Sequence, residues 1–407
     1  MLLETIAFML LGVIVGTATG LLPGLHPNAV FALVLSSAAF LSGFPALCTM
    51  VFIISLSISN IFLDFIPSIL FGAPDPDSCL AVLPGHQMLM EGRGYEAIML
   101  SVAGGIGAMA TTAITLPLLL FAIPSLYSHI HPFIHLLLAA VVCWTVLTEK
   151  GMKKIWALAV FLMSGMLGLI TLNTLSDQAL FPALTGLFGI SGLLVSLYGK
   201  TTLPKQKRTP TPSKGVIKGS LAGWVAGMFA GILPGIGSSQ AGMVVSQIFR
   251  AKAKEFLSAL GGINAANIIF TLVAFYTIGK TRSGAVSAIA QLAGSISMAE
   301  FLFLVAVGML VTFVSAIITL KAAGVIVSRM QTVNYRKINI SIIIFLASGI
   351  AVLTGLLGLL ISCAATALGV AAIRLGVKRS HMMGFLIFPT ILYFSGHLAI
   401  VSYILGV

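Results

Sequence analysis

The sequence predicts an all-α integral membrane protein with about ten transmembrane helices, and three observations lead to that fold class. Of the 407 residues, 58% are hydrophobic and only 8% are charged, whereas a soluble domain carries about 25% charged residues. Apolar runs of about 20 residues, such as 97–122 and 301–320, match the thickness of the hydrocarbon core. These runs are continuous and lack the polar-apolar alternation of barrel strands. Because backbone groups in lipid must pair internally, the spans are expected to be helices.

The charge and the cysteines exclude several classes of function. The net charge of +12 lies in short loops between apolar runs, which is typical of the positive-inside rule and not of a nucleic-acid partner. The four cysteines are scattered and predict neither a disulfide framework nor a metal site. No phosphate-binding loop or nucleophile motif is visible, so we expect neither an enzyme nor a cofactor. The N-terminal segment lacks the basic residues of a signal peptide, so we expect it to be retained.

An internal repeat divides the chain. The segment GVIVGTATGLLPG begins at Gly12, and its glycines, leucine and proline recur 211 residues later in GWVAGMFAGILPG, which begins at Gly223. The block 59–72 aligns with 266–279 at a nearly equal offset. Six matches at one offset are more specific than a lone Gly-x-x-x-G pattern. We interpret this as a duplication, with a first membrane repeat over 1–199, a cytoplasmic basic linker over 200–218 and a second membrane repeat over 219–407.

Five basic clusters give the orientation of the repeats. They lie at 150–154, 200–218, 250–254, 321–337 and 374–379, and the positive-inside rule places them in the cytoplasm. Each repeat then consists of a Pro-Gly hairpin, over 2–44 or 216–249, and five spans. Because five is odd, the second repeat is inverted and both termini of this multi-pass cell-membrane protein lie outside. The predicted spans are 46–71, 97–122, 130–148, 153–172 and 178–199, then 257–279, 298–320, 338–354, 355–373 and 381–405.

The two hairpin tips carry the residues that we expect to bind a substrate. Proline and glycine break each helix, and a helix that restarts after a break presents free N–H groups to an anion. Inverted repeats with broken helices are the usual plan of secondary transporters. A kinked hairpin that only packs is the alternative. The candidate residues are Pro23, Gly24, His26, Asn28, Pro234, Gly235, Gly237, Ser238, Ser239 and Gln240, with the aligned Asn60 and Asn267.

A polar segment follows the third predicted helix, and its counterpart lies in the second repeat. The first segment, 67–97, contains Arg93 and is too rich in proline and glycine for one helix. The counterpart, 278–292, carries Lys280 and Arg282. Basic side chains at a polar tip in the membrane suit a carboxylate or a phosphate, although a solvated loop would carry the same charges. Arg93, Lys280 and Arg282 therefore join the candidate binding residues.

Three acidic residues are candidates for ion coupling. Asp64 lies within an apolar run, and Asp75 and Asp77 follow it in the polar segment. An intramembrane carboxylate is most often a functional group such as a proton or ion site. We therefore expect H⁺ or Na⁺ to be the coupling ion.

At these same residues the chain resembles the TctA family, the large membrane subunits of tripartite tricarboxylate transporters. The family's Gly-rich helix and Pro-Gly tip match 16–28, and its later segments match 70–74 and 83–88, with a second tip at 233–240. The family's Tyr-Gly-Gly-Ser stretch is replaced here by 59–64. The resemblance implies symport of a small organic carboxylate by alternating access. A binding protein and a small membrane subunit are the family's usual partners, and the residues of this chain do not identify them.

A second resemblance gives an alternative substrate. Pro-Gly tips in inverted halves are also similar to those of polyprenyl-phosphate translocases, which return a lipid phosphate carrier across the membrane. A soluble carboxylate needs a closed, wet cavity, whereas a prenyl phosphate needs a groove open sideways to the bilayer. The expected partners are the lipid bilayer and either an anionic small molecule or a lipid phosphate, and the sequence leaves a homodimer open.

Overall fold

The computed structural model describes residues 2–22, 30–31, 34, 43–73, 78–175, 180–197, 204–207, 215–233, 237–249, 253–330 and 335–405, and within these ranges the chain forms helices and no strand. Its α-helices are α1 Leu2–Leu21, α2 Ala46–Leu63, α3 Val82–Met90, α4 Gly94–Ile130, α5 Ile134–Leu147, α6 Lys153–Leu175, α7 Leu180–Leu184, α8 Ser191–Leu197, α9 Gly215–Ile232, α10 Ser238–Phe249, α11 Ala253–Ile278, α12 Gly284–Ala293, α13 Met298–Met330, α14 Tyr335–Leu375, α15 Gly384–Phe394 and α16 Leu398–Leu405.

Eight helical stretches of the described chain are long and apolar enough to cross a membrane. They are Leu2–Leu21, Ala46–Phe71, Gly94–Ile130, Lys153–Thr174, Gly215–Ile232, Ala253–Ile278, Met298–Met330 and Asn339–Leu375. Shorter apolar helices lie between them, for example Ile134–Leu147 and Leu180–Val195. The prediction of an all-α integral membrane protein is therefore confirmed.

The longest helix, α14, changes direction at Gly355. This residue has φ 66° and ψ −161°, which is not helical. A Cβ built on Gly358 would lie 3.4 Å from the side chain of Ile350, whereas eight residues of continuous helix rise about 12 Å. The chain therefore folds back on itself here. The reversal falls at the predicted boundary between the spans 338–354 and 355–373.

The last predicted span, 381–405, is divided in the structure. A 3₁₀ turn over Arg379–Met383 precedes α15, and α15 ends before Gly396, whose φ is 77°. The α16 helix starts only at Leu398. The apolar composition of the segment hides this break, because a single glycine in a left-handed conformation is enough to end a helix.

Two Gly-rich helix pairs pack in the same way. The glycines of α1 face α2 and those of α9 face α11 so closely that a Cβ on any of them would overlap a carbonyl oxygen of the partner helix. Absence of side chains is what lets membrane helices approach to this distance. The contacts are Gly12, Gly16 and Gly20 with Phe52, Leu56 and Asn60, and Gly223, Gly227 and Gly231 with Ala259, Ile263 and Asn267.

The same register appears where these helices end. Gly72 and Gly279 both have φ 63°. The backbone N–H of Ala73 donates to Pro67 O at 3.2 Å, and that of Lys280 donates to Ala274 O at 3.4 Å. Both patterns are the C-terminal cap in which a left-handed glycine satisfies the last carbonyls.

Two further helix contacts join the first half of the chain to the second. Ser101 of α4 touches Gly261 of α11, where a Cβ would overlap the Ser101 carbonyl oxygen. At the corresponding positions, a Cβ on Gly308 of α13 would lie 3.8 Å from Ile54 of α2. A shift of 207 residues relates the two pairs: Ser101 of α4 corresponds to Gly308 of α13, and Gly261 of α11 corresponds to Ile54 of α2. A 2.8 Å hydrogen bond between buried serines also joins α2 to α13.

Residues of all five basic clusters lie at one end of the helical bundle. Three clusters contact the start of α4 and the turn before it, while the other two contact each other or the end of α10. Tyr127, near the last turn of α4, marks the opposite end. The contacts are Lys207 with Gly92, Lys254 with Glu96, Gly324 with Tyr95, Lys153 with Gly376, and Lys378 with Gln247.

The described part of the linker, 204–207, is docked on the protein. The sequence predicts a solvated loop here, but the side chain of Gln206 is buried, with 5% exposure. Its amide donates to Leu89 O at 2.8 Å and accepts from the backbone N–H of Gly94 at 2.9 Å. A buried amide needs such partners, so this part of the linker is held against the turn between α3 and α4.

Candidate functional site

A cavity of about 400 Å³ brings four of the predicted binding residues together. Gly237 and Gln240 come from the start of α10, Asn267 from the middle of α11, and Arg282 from the turn before α12. Leu172, Leu233 and Leu386 are among its apolar walls. We call this space the Arg282 cavity.

The start of α10 is tied to α11 beside this cavity. Asn267 Nδ2 donates to Ser238 Oγ at 3.2 Å, and the backbone N–H of Gly237 donates to Gln240 Oε1 at 2.9 Å. Within the described chain, Oδ1 of Asn267 is buried without a hydrogen-bond partner. An unsatisfied buried acceptor is costly, so this amide is available to a ligand or a water molecule.

Arg282 supplies the positive charge of the cavity. Its Nη2 donates to Tyr127 Oη at 2.8 Å, and its guanidinium carbon lies 5.4 Å from the centre of the Tyr127 ring. Its Nε is buried and has no partner among the described residues. The hydrogen bond and the cation–π contact orient the guanidinium, and the free Nε leaves a donor for an anion.

Two other basic candidates lie elsewhere. Lys280 is exposed on the surface, two residues before Arg282. Arg93 pairs with Glu96 and Glu91, each at 3.0 Å, and Lys254 also pairs with Glu96 at 2.8 Å. The hydrogen bonding that Arg93 donates to the Glu96 carboxylate is the largest of the effects that raise the pKa of Arg93 above its ordinary value. Arg93 thus belongs to an ion-pair network at the basic end of the bundle.

The remaining described tip residues are buried at helix contacts. Asn60, which aligns with Asn267, donates to Thr19 Oγ1 of α1 at 3.1 Å, whereas Asn267 donates to Ser238 of α10. Ser239 is 2% exposed, and its Oγ lies 3.3 Å from Cys79 Sγ. Eight further candidates lie outside the described residues: Pro23, Gly24, His26, Asn28, Asp75, Asp77, Pro234 and Gly235.

Asp64 is buried at the end of α2, with 6% exposure. Its Oδ1 accepts from Ser68 Oγ at 3.3 Å, and Ser68 Oγ lies 2.6 Å from Ser78 Oγ. The aligned residue in the second half is Thr271, whose Oγ1 accepts from Ser283 Oγ at 3.3 Å. The structure therefore places a carboxylate in one half where the other half has a hydroxyl.

A larger cavity, of about 510 Å³, involves residues that the sequence analysis did not select. It lies beside the end of α10, and we call it the Arg379 cavity. Lys378 and Arg379 line it together with Thr148, Gln247 and Ser380. Leu80, Leu83, Pro84, Phe188, Ala253 and Phe256 form its apolar wall.

The two cations of the Arg379 cavity are held by neutral groups. Lys378 Nζ lies 3.2 Å from Thr148 Oγ1 and 3.3 Å from Gln247 Oε1. Arg379 Nη1 donates to Phe188 O at 3.4 Å, and burial lowers the pKa of Arg379 to about 10. At any physiological pH the Arg379 side chain therefore remains charged.

A carboxylate lies close by but is already engaged. Glu149 Oε1 is 3.1 Å from His381 Nε2 and also accepts from the backbone N–H of Lys378 at 3.3 Å. Burial lowers the pKa of His381 even though the Glu149 hydrogen bond opposes this shift. The pair fixes the turn that presents Lys378 and Arg379.

The sequence interpretation of 374–379 as a topology-setting loop missed this cavity for a physical reason. Its lining residues come from five separate parts of the chain, so no local spacing identifies them. The signal that could have helped is the position of Arg379, which is followed directly by the polar pair Ser380 and His381 and then by an apolar run.

The α10 helix separates the two cavities. Gln240 lines the Arg282 cavity and Gln247 lines the Arg379 cavity, and seven residues of helix rise about 10 Å. Ser239, next to Gln240, contacts Cys79, which lines the Arg379 cavity and whose Sγ also lies 3.8 Å from Met383 Sδ. A thin layer of buried side chains thus lies between two cation-lined spaces.

The apolar helices define a multi-pass membrane protein. Its two cation-lined cavities lie beside α10 and form polar sites inside the helical bundle. Residues 6–384 match the Tripartite tricarboxylate transporter TctA family, and the chain belongs to that family. Transport is therefore its role, and it is not an enzyme. An uncharacterized protein of Methanocaldococcus jannaschii is 31% identical over 400 residues, which cover 95% of this chain and 98% of that protein. No solved structure matches the chain.

Proposed function

We propose that the protein is a secondary active transporter of a small organic carboxylate. The observation that carries this proposal is the Arg282 cavity, where a half-buried arginine with a buried Nε and an unsatisfied amide oxygen lie beside the start of α10. A volume of about 400 Å³ is within the usual range of small-molecule sites. The planar fork of an arginine matches a carboxylate, and the α10 N-terminus adds a partial positive charge.

The proposed architecture is an inverted repeat with halves over 1–199 and 219–407 and the linker 200–218 in the cytoplasm. Corresponding helix contacts, at a shift of 211 residues for the Gly-rich helices and of 207 for the helices that they pack on, support a duplication. The position of all five basic clusters at one end supports a threading with both termini outside. On this plan the tips Pro23–Asn28 and Pro234–Gln240 meet near the midplane, and re-entrant hairpins alternately expose the site to each side.

We assign ion coupling to Asp64. It is a buried carboxylate with a serine hydroxyl as a hydrogen-bond donor, and the second half has no acid at the aligned position. Binding of H⁺ or Na⁺ would neutralise it, which removes the cost of a buried charge. Asp75 and Asp77, which follow in the chain, are proposed to assist.

A second candidate substrate is a polyprenyl phosphate. The observation in its favour is the wall of six apolar residues in the Arg379 cavity, which could accept part of a hydrocarbon chain while the phosphate contacts the cations. The other proposed partners follow from the family: accessory subunits of a tripartite system, besides the bilayer itself. A homodimer remains a prediction.

Reconstitution tests the proposal. Purified protein in liposomes is given labelled citrate under a proton or sodium gradient and, in a parallel sample, polyprenyl phosphate in one leaflet. We expect gradient-dependent citrate uptake that exceeds uptake by protein-free liposomes. Movement of the phosphate lipid without citrate uptake would replace the carboxylate by the second candidate.

A further inference from the structure

We propose that the Arg379 cavity is a second binding site for the anionic oxygens of the transported substrate, at the opposite end of α10 from Arg282. The inference rests on the proposed transport of an anion and adds a site to it. Carboxylate and phosphate share the chemistry that Lys378 and Arg379 would recognise.

The lining of the Arg379 cavity is positively charged. Two cations line it and no acidic residue does so among the described residues. The contacts of Lys378 Nζ and of the Arg379 guanidinium are to neutral oxygens, at 3.2 to 3.4 Å. Lys378 is exposed and Arg379 is half-buried. Two like charges on neighbouring residues repel each other, so an anion between them would be stabilised by both.

The Arg379 cavity has the size and the two-sided lining that an organic anion needs. Its volume of about 510 Å³ is ample for a small organic anion. Ser380 and Gln247 add hydrogen-bonding groups at the charged side, and Phe188 and Phe256 close the apolar side. A site of this kind suits an anion that carries carbon, because inorganic anions gain nothing from the apolar wall.

The Arg379 cavity lies on the same helix, α10, as the Arg282 cavity. Its residue Gln247 lies about 10 Å along α10 from Gln240 of the Arg282 cavity, and the Ser239–Cys79 contact joins the start of α10 to a residue that lines the Arg379 cavity. An anion that leaves Gln240 at the Arg282 cavity would reach Gln247 at the Arg379 cavity after a displacement of roughly two helical turns. The two arginines would then belong to successive binding sites on one transport pathway, and the Ser239–Cys79 contact would block passage of the anion between them.

Protection of an introduced thiol tests the second site without a transport assay. Leu83 lines the Arg379 cavity and is 40% exposed, so Leu83→Cys supplies a label site. The background carries Cys143→Ala and Cys363→Ala, which remove the two exposed native thiols. The full-length protein is treated with a hydrophilic maleimide, with citrate or with farnesyl phosphate as the probe ligand.

We expect one of the two ligands to slow the modification of Leu83→Cys at least fivefold at saturation, and the effective ligand identifies the source of the anion. Addition of Arg379→Gln should abolish the protection, and Arg379→Lys, which keeps the charge, should retain part of it. Arg374→Gln is the matched control, since Arg374 is an exposed arginine in the last turn of α14, five residues before Arg379. Gel filtration and an unchanged rate without ligand verify that each variant is folded.

The outcomes separate this inference from the proposed function. No protection by either ligand, or equal protection with Arg379→Gln, overturns the second site. Protection that is lost with Arg282→Gln but kept with Arg379→Gln also overturns it, because the thiol would then report only on the first cavity. Absence of citrate uptake together with Arg379-dependent protection by farnesyl phosphate would contradict the carboxylate and leave the second site standing.

Discussion

At the residue scale, the environment of Arg282 matters more than its charge. Tyr127 fixes the guanidinium by a hydrogen bond and by its ring, while the buried Nε remains without a described partner. Lys280, two positions earlier, carries the same charge but is exposed to solvent. A solvated ammonium gains little from binding an anion, whereas a preoriented, partly desolvated arginine gains more.

The first prediction is that Arg282→Gln weakens substrate binding. A hydrogen bond to a charged group contributes about 1.5–3 kcal/mol, which corresponds to roughly a 10- to 100-fold increase in the half-saturating citrate concentration. The increase is measured from initial uptake rates in proteoliposomes. Arg374→Gln, at an exposed arginine, should leave the concentration unchanged, and equal values for both variants would exclude Arg282 from the site.

The second prediction concerns Asp64. Asparagine has nearly the same volume and still accepts a hydrogen bond from Ser68, but it cannot take up a proton or balance a sodium ion. Asp64→Asn should therefore allow citrate exchange between liposomes and medium while abolishing its accumulation by an ion gradient. Accumulation at the level of the parent protein would move the coupling site elsewhere.

At the element scale, the Gly-rich helix pairs set the spacing of the bundle. Glycines at intervals of four residues lie on one face of a helix, and each meets a backbone carbonyl of its partner. The sequence repeat predicts these contacts because a Gly-x-x-x-G pattern has one simple structural use in a membrane. No spacing rule predicts the side chain of Gln206 in its buried place, because its partners lie more than 100 residues away.

The third prediction tests this packing. Gly16→Ala and Gly227→Ala should each lower the melting temperature of the purified protein by a similar amount, because an added methyl at a filled contact costs about 1–3 kcal/mol. Gly324→Ala is the control: its Cβ would lie at an ordinary distance, 3.7 Å, from Tyr95. It should be neutral or slightly stabilising, since alanine favours a helix over glycine. Equal melting temperatures in all three variants would contradict the packing argument.

At the scale of the whole molecule, the order of apolar runs was enough to predict the class of fold, whereas the Gly-rich segments indicated close packing without identifying the partner helices. Four residues that line the Arg282 cavity, Gly237, Gln240, Asn267 and Arg282, had been chosen from the second tip, its aligned block and the polar segment that follows. The Arg379 cavity was not, since tertiary structure alone brings Thr148, Gln247 and Lys378 together. Charge in a loop and charge in a cavity look the same in a sequence.

The fourth prediction concerns the two sides of the membrane. In the background without exposed thiols, Leu83→Cys at the basic end should be labelled only from the cytoplasmic side. Thr281 lines the Arg282 cavity and is exposed, so the thiol of Thr281→Cys should be labelled only from outside. An impermeant maleimide applied to intact cells and to inverted vesicles measures both, and labelling of the two thiols from one side would exclude the proposed threading.

The contacts that join the halves have a consequence for the origin of the chain. Ser101 of α4 packs on Gly261 of α11, and Gly308 of α13 packs near Ile54 of α2, so each half completes its core with a helix of the other. On the proposed duplication, an ancestral half-length protein would have left this surface uncovered. Two copies inserted in opposite directions would have covered it by a reciprocal interface of the kind that identical chains form. Before the duplication, the ancestor would thus have been a dual-topology dimer, in which two identical chains were inserted in opposite orientations. Fusion of the two copies through the linker would then have fixed these opposite orientations within one chain.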